Sequence, residues 1–193
     1  KQAKRSWKQY QTEPVTSLEK SEAYGLVCGY SDIEAIDVDL KILCKDVKIP
    51  THEELVSVDV KWKQILTQLK QSVYKFDDKV MIVKTKNLGF HIIYQAKNIE
   101  GNLKLAKDKN NKALIETRGK GGYVAMYDDY VVRDYTELRY LSEDDRNALI
   151  DACRSFNEVV DAPVNENKYK KNKKEVIKGE ILPIDDFKAR VST

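Results

Sequence analysis

One short segment limits the folds open to this chain of 193 residues, because it alternates apolar and acidic side chains: Ile36-Asp37-Val38-Asp39. Successive side chains of a β-strand point to opposite faces, so Asp37 and Asp39 share one face while Ile36 and Val38 share the other. Bare carboxylates are costly to bury. The segment therefore predicts a sheet with one packed and one polar face. Such carboxylates need a cation, a hydrogen-bond network or open solvent, so they are ligands of a metal ion, members of such a network or, by default, solvated charges on an edge strand.

The rest of the chain predicts a mixture of strands and helices. Short apolar runs bounded by turn residues are typical of strands, and they occur at residues 23–27, 33–40, 80–84, 90–96, 113–117 and 122–126. Two helices are expected, one begun by Thr51 with Glu54 and the other by Ser142 with Asp145, because each capping pair precedes apolar residues at helical spacing. The stretch 97–112 is too highly charged to enter the core. We expect an α+β fold with an antiparallel or mixed sheet.

Charge divides the chain into two parts. Residues 165–178 hold six lysines and two glutamates, a local charge of +4, whereas the whole chain carries +3, so the remainder sums to −1. We expect a folded domain over residues 1–162 and a basic linker over residues 163–193 that leads towards a further module. The lysine run is either a solvated linker or an electrostatic contact for a phosphate backbone.

Cysteine usage and hydropathy indicate where the protein works. The three cysteines show no CxxC or CxxH spacing, so we expect neither a disulfide framework nor a zinc site, and a reducing, cytoplasmic environment. No run approaches the length of about 18 apolar residues that a transmembrane helix needs. We therefore expect no membrane among the partners.

A second polar segment surrounds His91, which follows the turn Lys86-Asn87-Leu88-Gly89 and enters an apolar strand. His91 is either a structural residue or a hydrogen-bond donor to an anion such as a phosphate. Lys84 and Lys86 stand close to it in the sequence, either as part of an anion site or as charges at its rim.

A third segment runs Glu116-Thr117-Arg118-Gly119-Lys120-Gly121-Gly122. Glu116 and Arg118 share a strand face, which gives either a simple ion pair or two groups of one site. The three glycines let the backbone approach a ligand closely, and successive N–H groups can form an anion-binding nest. Strand carboxylates, a histidine, basic residues and a glycine loop are together the components of a metal–triphosphate site.

In this order the motifs resemble the primase–polymerase (Prim-Pol) domain of the archaeo-eukaryotic primase superfamily. The likeness is to the bifunctional DNA primase/polymerase domains of phages, plasmids and mobile elements. Ala35–Asp39 is similar to the family's hydrophobic-Asp-x-Asp/Glu motif, and residues 84–91 to its Thr-x-Ser-Gly-Gly-x-His motif. Residues 115–124 are similar to its acidic third motif with Arg-Gly-x-Gly-Gly-Tyr. Order and spacing agree across residues 1–160, and the segment around Trp7 resembles the Lys- and Trp-containing opening of such domains.

The resemblance implies an archaeo-eukaryotic primase catalytic core, an RNA-recognition-like sheet flanked by helices. It implies template-directed transfer of nucleotides from NTP or dNTP to a primer or an initiating dinucleotide on single-stranded DNA, with a linked or associated helicase. Two Mg²⁺ or Mn²⁺ ions would bind the three carboxylates, Asp37, Asp39 and Glu116. The triphosphate would contact His91, Arg118, Lys86, Gly119, Gly121 and Gly122.

Three features depart from the family pattern. Asn87-Leu88 replaces the usual Ser-Gly, Met126–Tyr130 replaces a Pro-Pro-Ser turn, and no zinc-binding stem is visible. Two other functions remain open at this level. One is a catalytically degenerate primase-like domain that binds single-stranded DNA or initiates replication, and the other is a metal-dependent nuclease. The intact set of three carboxylates favours an active enzyme.

Overall fold

The strands and helices follow the sequence pattern closely. A computed structural model describes residues 7–13, 24–126, 131–133 and 138–159. Within these residues the strands are β1 Tyr24–Val27, β2 Ile33–Asp39, β3 Met81–Lys84, β4 Gly89–Gln95, β5 Lys104–Lys107, β6 Ala113–Arg118, β7 Tyr123–Met126 and β8 Val131–Arg133. The helices are α1 His52–Ser72 and α2 Glu143–Arg154, with short 3₁₀ helices at Lys8–Gln11, Leu40–Leu43 and Phe76–Asp78.

β2 lies inside the main antiparallel sheet, whose strand order is β5-β6-β2-β4-β3, with the short β8 beside β3. Asp37 of β2 lies opposite His91 of β4 on one side and opposite Glu116 of β6 on the other. β1 and β7 form a separate two-stranded antiparallel sheet. The α+β class is confirmed, but the interpretation of β2 as an edge strand is wrong, because β2 has hydrogen-bonded neighbours on both sides.

Both helices pack on one face of the main sheet. Their apolar residues join Ile36 and Val38 of β2 in the larger core cluster. α1 begins with the predicted capping box, in which Thr51 and Glu54 satisfy each other's backbone N–H groups. Within the cluster Trp62 of α1 stacks on Phe90 of β4, with ring centroids 3.7 Å apart. Burial of side chains of this size, at about 1.5–3 kcal/mol each, holds the helices on the sheet.

A buried ion pair, which the sequence analysis did not foresee, fastens α2 to the same face. The Glu34 carboxylate is 0% exposed and accepts hydrogen bonds from Arg146 Nε at 2.7 Å and Nη2 at 2.9 Å. The Tyr94 hydroxyl donates to the same carboxylate at 2.9 Å. Burial, together with the neighbouring charge of Glu34, raises the pKa of Tyr94 well above its usual range. Each carboxylate oxygen is therefore satisfied despite full burial.

The opposite face of the main sheet is covered only in part. Ala35, Val83 and Ile93 pack against Cys28 and Val124 in a second, smaller core cluster. Val124 belongs to β7, so the two-stranded sheet supplies part of this cover. Where the cover ends, the same face carries the polar side chains of β2, β4 and β6.

A second structural prediction, that the stretch 97–112 stays outside the core, is also wrong. Stretch 97–112 contains strand β5, in which Leu105 and Ala106 are buried at 5% and 1% exposure. Ile99 is buried as well. Two apolar residues suffice for a short edge strand, while the flanking lysines keep their charged ends in water.

The predicted basic linker over residues 163–193, with its lysine run, lies outside the described residues. Neither α1 nor α2 combines the length and the apolar composition that a bilayer-crossing helix requires, and no other described helix does.

Candidate active site

A polar cleft of about 330 Å³ is lined by residues of both sheets. The main sheet contributes Asp37, Asp39, His91 and Arg118, whereas the two-stranded sheet contributes residues 123–125. The volume lies near the lower end for small-molecule sites. The cleft is therefore of a size for one small ligand.

Three of the predicted site residues meet directly in this region. Arg118 Nη2 lies 2.9 Å from Asp37 Oδ2 and 2.8 Å from Glu116 Oε1, and Arg118 Nε lies 3.3 Å from the same Asp37 oxygen. Since Asp37 and Glu116 are register partners on neighbouring strands, their carboxylates would repel each other without the guanidinium. Burial alone would lower the pKa of Arg118, but the hydrogen bond and charge of Asp37, with the charge of Glu116, raise it.

Asp39 lies on the same face at the end of β2 and lines the cleft. Its carboxylate forms an ion pair with Lys41, the second residue of the following 3₁₀ helix. Lys41 also lines the cleft. Each of the three predicted metal ligands thus has a cationic side chain beside it.

His91 is buried at 7% exposure and lies beside Asp37. Its Nε2 lies 3.6 Å from Asp37 Oδ1, and His91 is the register partner of Asp37 on β4. The alternation along β4 places His91 on the cleft side and its neighbours Phe90 and Ile92 in the larger core. His91 is therefore placed where its side chain can contact a ligand in the cleft.

The glycine loop borders the cleft through Gly121 and Gly122, but its N–H groups already have protein acceptors. Gly119 N–H donates to Asn102 Oδ1 at 3.2 Å, and Gly121 N–H donates to Gln11 Oε1 at 2.9 Å. The N–H groups of Lys120 and Gly122 donate to backbone carbonyls at 2.7 and 2.9 Å. Because the backbone N–H groups of residues 119–122 all have acceptors within the protein, the loop does not form the anion-binding nest that the glycines suggested.

The turn between β3 and β4 forms another border of the cleft, through Thr85 and Asn87. Lys86 is exposed in this turn and is not among the lining residues. Leu88 has a φ of 56°, a left-handed conformation that a leucine rarely adopts. The glycine usual at this position of the resembled family would adopt it without strain.

The carboxylates fit a divalent metal in their chemistry, because hard oxygen ligands are those that Mg²⁺ and Mn²⁺ prefer. Within the part of the chain that the structure describes, however, no group of three or more His, Cys, Asp or Glu side chains has the arrangement of a ready metal site. Arg118 and Lys41 provide the positive charge instead. A cation would bind Asp37, Asp39 and Glu116 only as these two side chains give up their carboxylate partners.

The sequence motifs gave no role in the site to several residues that line the cleft. Lys41 was not singled out, although its position two residues after Asp39 was a signal. Trp7 and Tyr123 both line the cleft, and their ring centroids lie 5.0 Å apart. Asn102 also lines it, from the stretch 97–112, which was expected only to stay outside the core.

No protein-family model matches the chain, and no curated protein matches it. The cleft and the sequence motifs around it therefore carry the functional interpretation.

Proposed function

We propose that this protein is a primase–polymerase that performs template-directed nucleotidyl transfer on single-stranded DNA. One observation carries the proposal: Asp37 and Glu116 lie directly opposite each other on neighbouring strands, on the polar face that also bears Asp39 and His91. Residues distant in the sequence are thus brought together in the combination that phosphoryl-transfer chemistry uses.

We also propose a more specific fold than the α+β class. Two helices cover one face of an antiparallel sheet and leave part of the other face to polar residues. This arrangement supports a catalytic core of the RNA-recognition type.

The proposed metal ligands are Asp37, Asp39 and Glu116. Divalent ions held there would lower the pKa of a primer 3′-hydroxyl and stabilise charge on the leaving pyrophosphate. The residues of the chain supply positioning and electrostatics. His91, on the cleft side of β4, donates a hydrogen bond to the triphosphate. Arg118, once released from the carboxylates, neutralises the charge of the triphosphate.

Other parts of the cleft have narrower roles in this proposal. Lys41 lines the cleft and adds positive charge beside Asp39. Lys86 attracts the anionic ligand from the exposed turn. The glycine loop shapes the border of the cleft, and it contributes donors to a phosphate only if Gln11 leaves the Gly121 N–H group. We further propose that the domain is linked to or associated with a helicase. It would act inside a host cell as part of a phage, a plasmid or another mobile element.

The test is nucleotide incorporation on a primed single-stranded DNA template with Mg²⁺ or Mn²⁺. The near-isosteric double variant Asp37→Asn/Asp39→Asn should lose at least about 100-fold in incorporation rate, because it removes two charged ligands while keeping the side-chain shape. Strand binding should change little. The matched control is Asp59→Asn, an exposed carboxylate on α1, which should incorporate at the wild-type rate. Wild-type synthesis by the double variant would contradict the proposed metal site.

Two alternatives give different results in the same assay. A degenerate binding module would hold the strand but extend no primer, with or without the substitutions. A nuclease would shorten the strands, and that activity would need the same carboxylates. Asp37, Asp39 and His91 line one cleft, and Glu116 lies opposite Asp37 on the neighbouring strand, which favours the transferase over a binding module.

A further inference from the structure

We propose that Trp7 and Tyr123 form the platform on which the base of a bound nucleotide stacks. The two rings lie 5.0 Å apart between centroids, with their planes at 50°. Both side chains line the cleft that contains Asp37 and His91. This inference rests on the proposed function and adds to it the part of the site that receives the base.

The cleft has two chemically different parts. The main sheet supplies charged groups, namely Asp37, Asp39 and Arg118, whereas Trp7 and Tyr123 supply aromatic surface. A nucleoside triphosphate is divided in the same way, into a highly charged triphosphate and a flat base. Stacking on an aromatic ring tolerates every base, because each base has a π-face. A template-directed enzyme needs that tolerance, since the template and not the protein selects the base.

The position of Trp7 is fixed by its own segment. Trp7 directly precedes the 3₁₀ helix Lys8–Gln11, and its carbonyl accepts the N–H of Tyr10 at 3.0 Å. At the other end of that helix, Gln11 Nε2 donates to the Cys28 carbonyl at 3.2 Å, and Gln11 Oε1 accepts the N–H of Gly121 at 2.9 Å. Gln11 thus ties the Trp7 segment to the glycine loop, two residues before Tyr123.

Tyr123 is held from the other side. It pairs with Val27 at the end of the two-stranded sheet. Its ring lies next to Gly25, where an added Cβ would come within 3.8 Å of Tyr123 Cδ2. The aromatic pair is therefore held at the edge of the cleft by the regular structure on which both residues lie.

The second tryptophan provides an internal comparison. Trp62 is 8% exposed and stacks on Phe90 in the core, with centroids 3.7 Å apart. Trp7 is half-buried and borders the cleft. Since the chain has only these two tryptophans, a change in emission that disappears in Trp7→Phe reports on the cleft and not on the core.

The test compares ATP with inorganic tripolyphosphate, which lacks a base, both with Mg²⁺ and the full chain. ATP should quench the tryptophan emission of the wild type but not that of Trp7→Phe, and tripolyphosphate should quench neither. By calorimetry, Trp7→Ala should weaken ATP binding about 10-fold and leave tripolyphosphate binding unchanged. Trp7→Phe, which keeps a stacking ring, should bind ATP within about 2-fold of the wild type.

Tyr123→Ala should weaken ATP binding in the same selective way. The matched control is Tyr74→Ala, because Tyr74 is 77% exposed and does not line the cleft; it should bind both ligands as the wild type does. Unchanged ATP affinity in Trp7→Ala would refute the platform, and so would an equal loss for ATP and tripolyphosphate. If instead the wild type binds ATP through Trp7 but extends no primer, the platform stands and the proposed function fails.

Discussion

Glu34 and Asp37 lie three residues apart on β2, and each is paired with an arginine, but their surroundings differ. Glu34 faces the helices and is 0% exposed, and its partner Arg146 has a side chain only 10% exposed. Asp37 faces the cleft with a side chain 21% exposed, and its partner Arg118 is 28% exposed. A carboxylate–guanidinium pair sealed in a core cannot exchange partners, whereas a pair at an open cleft can do so. A carboxylate–arginine ion pair therefore stabilises the core on one face of β2, and on the other face it can open to let a ligand bind.

The largest effect that separates the two faces is expected from the buried pair. Arg146→Met should lower the free energy of unfolding by about 3–5 kcal/mol, because it leaves the Glu34 carboxylate buried without its cation. Denaturant unfolding measures the loss. The double variant Glu34→Leu/Arg146→Met should recover most of it, since no charge is then left unpaired. A loss below about 1 kcal/mol for the single variant would show that breaking the buried pair costs no more stability than breaking an exposed one.

Breaking the pair at the cleft should cost less stability and change metal binding instead. Arg118→Ala should lower the free energy of unfolding by about 1 kcal/mol, because Asp37 and Glu116 then repel each other across the strands. The same change should increase Mn²⁺ affinity several-fold in the absence of nucleotide, as measured by calorimetric titration. The control is Arg154→Ala, which breaks an exposed pair with Asp151 and should leave Mn²⁺ binding as it is. Unchanged or weaker Mn²⁺ binding by Arg118→Ala would show that the guanidinium and the cation do not compete.

The smallest effect concerns the two core clusters and sharpens the comparison. Burial raises the pKa of Cys153, on the helix side, to about 12, and burial with the charge of Glu34 raises that of Cys28, on the cleft side, to about 12. Both thiols are therefore almost entirely protonated at pH 8, and the thiolate is the reactive form. Iodoacetamide labelling followed by mass spectrometry should modify the half-buried Cys44 first. Rapid labelling of native Cys28 would show that reagents also reach the smaller core cluster beside the cleft.

Local signals in the sequence were enough to predict the elements of this fold. The capping residues Thr51 and Ser142 begin the two helices as expected, because a cap acts within four residues of itself. The alternation around Asp37 correctly separated the core face of β2 from its polar face. Strand β5 was missed because two apolar residues between lysines are too weak a signal without a neighbouring strand.

For the candidate site, too, the sequence predicted some features and not others. The motifs named the carboxylates, His91 and Arg118, and the structure brings Asp37, Glu116, Arg118 and His91 together. The state of the glycine loop was not foreseen, because its acceptors Gln11 and Asn102 come from distant parts of the chain. The buried pair of Glu34 with Arg146 was missed for the same reason, since 112 positions separate the partners.

The sequence by itself determined which side chains share a face of each strand, where each helix begins and which residue types are present for chemistry. These properties depend on the few nearest neighbours along the chain. Only the tertiary structure decided that β2 lies inside the sheet, that Arg118 rests between two carboxylates and that Trp7 reaches the cleft beside Tyr123. Such contacts depend on strand register and on the packing of two sheets, and these are set by the summed burial of many distant residues.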